Sequence, residues 1–210
     1  MRGFSGATCN GPALRALPVA RCIPYYFLAP SGTEYDMSRK FAYSWPVARW
    51  LGDVEIEVKN VPASVVMALI HVESSGDPSA RKSDKSQFYG LLQAGRAVGI
   101  DVGMRDMGRE TSRKLNGDGP AALRTFSALV HRYEERCRDA DGNLDPLRVA
   151  LLWKAGAGFV RDVNALLTTG VEWDEAIDMV AEVKGFSPVE YLEWFKTAHG
   201  VWSNAVCGRA

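Results

Sequence analysis

The chain has 210 residues, 47% of them hydrophobic, enough for one domain with an extension or two small ones around a full core. Lys plus Arg and Asp plus Glu balance at 25 each, so bulk positive charge does not drive binding to nucleic acid, and only a local basic groove is left for that. The longest apolar run near the start, Ile23 to Ala29, falls far short of the roughly 20 residues that span a bilayer, and no succession of charged, apolar and small residues marks a signal peptide.

Residues 1 to 35 carry Pro12, Pro18, Pro24 and Pro30 at intervals that forbid long helices, which predicts an irregular arm, taken here as residues 1–45. Tyr25, Tyr26 and Phe27 need burial, so the arm packs on its own domain or on a partner chain. The remaining residues, 46–210, form the folded domain. Cys9, Cys22, Cys137 and Cys207 are too far apart for a metal knuckle and include no C-x-x-C pair; neither a metal nor another cofactor is expected, and the pairing of the thiols stays open.

Trp45, Val47, Trp50 and Leu51 suggest a short helix with Pro46 in its first turn. Val54 to Lys59 alternates like a strand, yet the segment as a whole is read as helix. The next helix runs from Pro62 to about Ser75, with Val65, Val66, Leu69, Ile70 and Val72 at helical spacing and Gly76 and Pro78 as its stop. Glu73 falls in its last turn. The negative end of the helix dipole and the apolar neighbours both disfavour the ionised carboxyl there, which predicts a raised pKa and a general acid. A solvated residue at a helix end is the alternative.

A polar loop follows, with Asp77, Ser79, Arg81, Lys82, Ser83, Asp84, Lys85 and Ser86, before the chain turns apolar from Phe88 to about Val98. Phe88 is expected in the core and Tyr89 in a cleft. Residues 105–116 are charged and marginally helical, and Gly117 and Gly119 punctuate them. Pro120 to about Asp139 predicts a long amphipathic helix with Leu123, Phe126, Leu129, Val130 and Tyr133 on one face and Arg132, Glu134, Glu135, Arg136 and Arg138 on a solvated back. Further helices are predicted over Leu147 to Ala155, over Phe159 to Leu167 after an interruption at Gly156 and Gly158, over Trp173 to Val183, and over Pro188 to His199 with Tyr191, Leu192, Trp194 and Phe195. The fold class is mainly α.

Several chemistries find no residues to carry them. His71, His131 and His199 are scattered, Ser74 has no adjacent histidine, and neither a G-x-S-x-G elbow nor a phosphate-binding Gly-rich loop is present. What is left is a carboxylic acid on a helix, a Gly-Leu-Leu-Gln turn, and a Gly-rich break after Trp153.

The order H-V-E-S-S-G-D-P-S-A at 71–80, F-Y-G-L-L-Q at 88–93 and L-R-V-A-L-L-W-K-A-G-A-G-F-V at 147–160 resembles the lytic transglycosylases of the soluble, lysozyme-like type. In that family a Glu-Ser pair, a Gly-Leu-Met-Gln turn and an Ala-Tyr-Asn-Ala-Gly segment follow in the same order, and the resemblance covers about residues 62 to 165. It implies a lysozyme-like helical domain that cleaves peptidoglycan between N-acetylmuramic acid and N-acetylglucosamine. Glu73 would be the catalytic acid, Ser74 its neighbour, and Gly90, Leu92 and Gln93 the turn lining the glycan cleft, with the glutamine touching sugar. Trp153 and Lys154 stand where the family has tyrosine and asparagine. The hydroxyl that this tyrosine offers to the acid must come from Tyr89 or another residue, or the acid is held by packing alone. Trp153 is either a sugar platform or a core aromatic; Lys154 either meets a lactyl or peptide carboxylate or is solvated.

Most glycosidases use two carboxylates roughly 5 to 9.5 Å apart. The resemblance implies one, because the substrate's own N-acetyl group and 6-hydroxyl complete the reaction and leave a 1,6-anhydro end. A second carboxylate, from Asp77, Asp84 or Asp101, would make the protein a hydrolytic muramidase instead. A structural part of an assembly that keeps a sugar-binding domain is the other alternative. With glycan strands as partner and no leader expected, a bacteriophage particle acting on the periplasmic wall, or a secretion apparatus, is the expected setting, the arm joining the domain to its other proteins.

Overall fold

The computed structural model describes residues 27–28, 34–35, 44–81, 88–103, 113–114 and 116–207. They are mainly helical, as expected. In the arm, β1 (Phe27–Leu28) and β2 (Glu34–Tyr35) pair antiparallel with Phe27 opposite Tyr35. Residues 44 and 45, expected in the arm, belong to the first helix, and the remaining arm residues, with Cys9 and Cys22, lie outside the described residues.

Helices α1 (Ser44–Ala48) and α2 (Leu51–Glu57) open the domain. The strand-like alternation in α2 has a simple origin: Val54 and Val58 are two pleats apart in a strand and one turn apart in a helix. Ile56 decides between them. It is 66% exposed while Val54 and Val58 are buried, which only the helix allows.

Helix α3 (Ala63–Ser74) is the axis of the core, with every residue from Ser64 to His71 buried. A helix apolar on all sides must be wrapped by others. Pro62 serves as its N-cap and not in its first turn. Its end is turned by Ser75 in the left-handed conformation (φ 53°), with Gly76 (φ 86°) beyond it, so the stop lies one residue earlier than the glycine suggests. A Cβ on Gly76 would stand 2.5 Å from the Pro46 carbonyl carbon, so only glycine permits this approach. The indole of Trp50 donates to the Gly76 carbonyl at 2.9 Å and Arg49 donates to it at 3.1 Å, tying α1 to the end of α3.

A short helix α4 (Arg96–Asp101) precedes α5 (Gly119–Arg132), whose N-terminus is capped by the Asp118 carboxylate accepting from the Ala121 amide at 3.2 Å. Leu123, Phe126, Leu129 and Val130 face the core. The α-helix ends at Arg132, well before Asp139. A 3-10 turn (Glu134–Cys137) follows, and the chain folds back as the Asp145 amide donates to the Cys137 carbonyl at 2.8 Å. Arg136 is accordingly not merely solvated but donates to the Ala157 carbonyl at 3.0 Å.

Helices α6 (Pro146–Ala155) and α7 (Ala157–Leu167) are separated by Gly156 alone, and Gly158 lies inside α7. Then come α8 (Trp173–Lys184), closed by Gly185 in the left-handed conformation, and α9 (Val189–Cys207). The last helix runs past His199 because Ala198 and Trp202 still face buried partners. Its contact with α3 is the most extensive between any two helices described. No described helix is long and apolar enough to cross a membrane.

Candidate active site

Glu73 is half-buried in the last turn of α3, where the helix presents its carbonyl end. Ser74 holds that turn together: its hydroxyl donates to the Ile70 carbonyl and accepts from the Gly76 amide, both at 3.2 Å. The Ser74 hydroxyl is therefore occupied by the backbone on both sides. One turn of sequence earlier, buried His71 accepts at Nδ1 from the Trp202 indole at 3.4 Å, so α9 fixes the same end of α3 from the opposite direction in sequence.

From α9, Tyr191 brings a buried phenol against Glu73. Burial first, then the charge of the Glu73 carboxylate and hydrogen bonding to it, hold the phenol protonated well above its ordinary value of 10.0. The contact is loose: the Tyr191 hydroxyl meets no partner of full hydrogen-bond geometry among the described residues.

The Gly90–Gln93 turn is built on backbone geometry. Tyr89 bridges to both Arg81 and Ala94, Gly90 has φ 84°, and a Cβ there would lie 1.7 Å from the Asn116 carbonyl oxygen. Gln93, itself at φ 49°, is buried, and its side-chain nitrogen donates to the Ala80 carbonyl at 2.7 Å and the Gly90 carbonyl at 2.9 Å. That nitrogen secures the loop after α3 and is spoken for. Leu92 is wholly buried, so its side chain supports the turn from behind and does not line a cleft. Phe88 and Tyr89 depart from expectation in part: Phe88 is 44% exposed and outside the core, while Tyr89 is half-buried with the Arg113 guanidinium 5.9 Å from its ring centre. The chain turns at Gly90, which buries Leu91 and Leu92 beyond the turn and leaves Phe88 before it at the surface.

Trp153 is a strut. Its indole donates to the Leu92 carbonyl at 3.0 Å and its ring meets Phe126 edge-on at 5.4 Å. Lys154, next to it in the last turn of α6, lies with Nζ 4.7 Å from the centre of the Tyr191 ring. Glu73, Tyr191 and Lys154 therefore stand together although three different helices supply them.

Of the other candidate carboxylates, Asp77 accepts from the Ser79 amide and hydroxyl at 2.8 and 2.7 Å, and Asp101 accepts from the Tyr133 hydroxyl at 3.1 Å. Asp77 is engaged within its own turn and Asp101 with a residue 32 positions on, at the end of α5; Asp84 lies outside the described residues. A cavity of about 270 Å³ between α8 and α9, lined by Trp173, Ile177, Val189, Leu192 and neighbours, includes neither Glu73 nor Tyr191. Its lining also carries Asp174, Asp178, Glu193 and Lys196, the last two paired at 2.6 Å, and none of these belongs to the cluster around Glu73. Among the described residues no three His, Cys, Asp or Glu side chains are grouped to hold a metal. The Cys137 thiol is pushed up to about 12 by burial and by the charge of Asp145, which leaves it protonated and unreactive.

Tyr191 is the residue that sequence reading missed as part of the site. A tyrosine at helical spacing among Leu192 and Phe195 reads as core, and the signal pointing further was the absent tyrosine at Trp153, which required a hydroxyl from elsewhere. Comparison with known protein families, curated proteins and solved structures finds no match to this chain.

Proposed function

We propose that the chain is a peptidoglycan lytic transglycosylase built on a lysozyme-like helical domain. The observation that carries this reading is a half-buried carboxyl in the last turn of a buried helix, with a protonated phenol against it. Glu73 protonates the glycosidic oxygen between N-acetylmuramic acid and N-acetylglucosamine, and the bond breaks with assistance from the substrate's N-acetyl group. The carboxylate left behind is steadied by the Tyr191 hydroxyl and takes the proton of the 6-hydroxyl as that oxygen attacks the anomeric carbon. Proton and bond count close with no water consumed, and the product ends in a 1,6-anhydro ring. Asp77, hydrogen-bonded within its own turn, and Asp101, hydrogen-bonded to Tyr133, are both engaged elsewhere, which favours this single-acid route over hydrolysis.

Digestion of purified cell walls tests the proposal. The wild type is expected to release 1,6-anhydro muropeptides, and Glu73→Gln to lose about 10²- to 10⁴-fold in rate at unchanged melting temperature. Reducing ends would assign a hydrolase, and full activity of the variant would place the acid elsewhere. The proline-punctuated arm suits attachment to a phage particle or a secretion apparatus, and mass spectrometry of purified particles tests that setting.

A further inference from the structure

We propose that Lys154 is a specificity-determining residue of this site, selecting glycans that carry a free carboxylate beside the bond being cleaved. The inference rests on the glycan-cleaving reading above and says which glycan it takes. Lys154 is half-buried, and its ammonium stands 4.7 Å over the ring of Tyr191, the residue whose hydroxyl faces Glu73. A cation on the face of a phenol is attracted by the ring, so a side chain that would otherwise sample many rotamers is held in one place. Among the described residues no carboxylate forms an ion pair with it. A fixed positive charge thus lies one aromatic ring away from the catalytic acid.

The substrate's chemistry offers a group for it. In a muramyl residue the lactyl ether sits on C3 of the ring whose C1 is attacked, which puts its carboxylate about a ring's width from the scissile oxygen. When a stem peptide is joined to the lactyl group, that charge disappears into an amide and the nearest carboxylate moves further along the peptide. A polymer of N-acetylglucosamine alone has none. Lys154 therefore reads a carboxylate beside the cleaved bond, from the lactyl group itself or from the peptide.

Three glycan strands distinguish these: strands stripped of peptide, the same strands with lactyl carboxylates reduced to alcohols, and strands bearing stem peptides. The wild type is expected to cleave stripped strands with kcat/KM about tenfold above reduced ones, the factor that one charge-assisted contact supplies. Lys154→Met, which keeps an unbranched side chain against Tyr191, is expected to cleave both at the rate of the wild type on reduced strands. A preference of the wild type for stripped over peptide-bearing strands assigns the lactyl carboxylate alone, and equal rates on these two show that a carboxylate of the peptide serves as well. Salt provides a reading that needs no variant: KM for stripped strands rises with ionic strength and KM for reduced strands does not. Retention of the wild-type preference by Lys154→Met, or equal rates of the wild type on stripped and reduced strands, overturns the role of Lys154 alone. Failure of the wild type to cleave any of the three overturns the glycan-cleaving reading and this inference with it.

Discussion

In the reaction proposed for Glu73, one hydroxyl stands beside the acid. Linkage runs both ways, so the carboxylate that holds the Tyr191 phenol protonated is itself favoured by that phenol's O–H. Tyr191→Phe removes the donor and keeps the ring under Lys154. The carboxylate left by proton transfer then loses its hydrogen-bond donor, and kcat/KM should fall by roughly tenfold. Stability should change by less than about 1 kcal/mol, because the buried hydroxyl has no partner of full geometry to lose. An unchanged kcat/KM would show that Tyr191 acts only by packing. Glu73 was legible in the sequence because a carboxylate at the apolar spacing of a buried helix stands out within one turn. Ser74, Leu92 and Gln93 were legible as a group but not in their individual jobs: the backbone bonds that occupy Ser74 and Gln93 and the burial of Leu92 arise only once the loop closes on α3.

The pairing of α3 with α9 is the element on which the site hangs, and it contains two histidines. His71 accepts from Trp202 at 3.4 Å; Nε2 of His199 meets the hydroxyls of Ser203 at 3.2 Å and Ser64 at 3.4 Å, and its ring stacks on Phe195 at 5.6 Å. Burial holds His199 below its ordinary value of 6.5, so in a window beneath that value the unfolded chain binds a proton that the folded chain refuses. Stability contributed by neutral His199 is present above about 6.5 and is lost as pH falls through the unfolded pKa towards the folded one. His199→Phe keeps the stack and has nothing to titrate. The melting temperature of the wild type minus that of the variant should therefore fall from pH 7 to pH 5. A constant gap would mean that this ring does not carry the dependence. Helix α2 shows the same dependence on partners in another form, since Val54 and Val58 satisfy both periodicities and only the face they bury against α3 and α5 separates helix from strand.

Across the whole molecule, the C-terminal helix is both wall of the core and part of the site. Tyr191, Leu192, Phe195 and Trp202 are buried, and at about 1.5 to 3 kcal/mol each their burial is comparable with the entire net stability of a domain. A chain ending at Ser187 should consequently lose its cooperative thermal transition and near-UV circular dichroism as well as its activity; a cooperative melt at the wild-type temperature would show that α9 is an appendage. The sequence by itself determined the mainly helical class, the axis helix with Glu73 at its end, and the special backbone at Gly90 and Gly156, because periodicity, helix-end chemistry and positive φ act within a few residues. Only the tertiary structure decided which hydroxyl reaches Glu73, that Trp153 is a strut, that Phe88 stays outside, and that Lys154 rests on Tyr191. Those outcomes depend on contacts such as His71 with Trp202, 131 residues apart, whose partners are chosen by how whole faces pack and not by any local pattern.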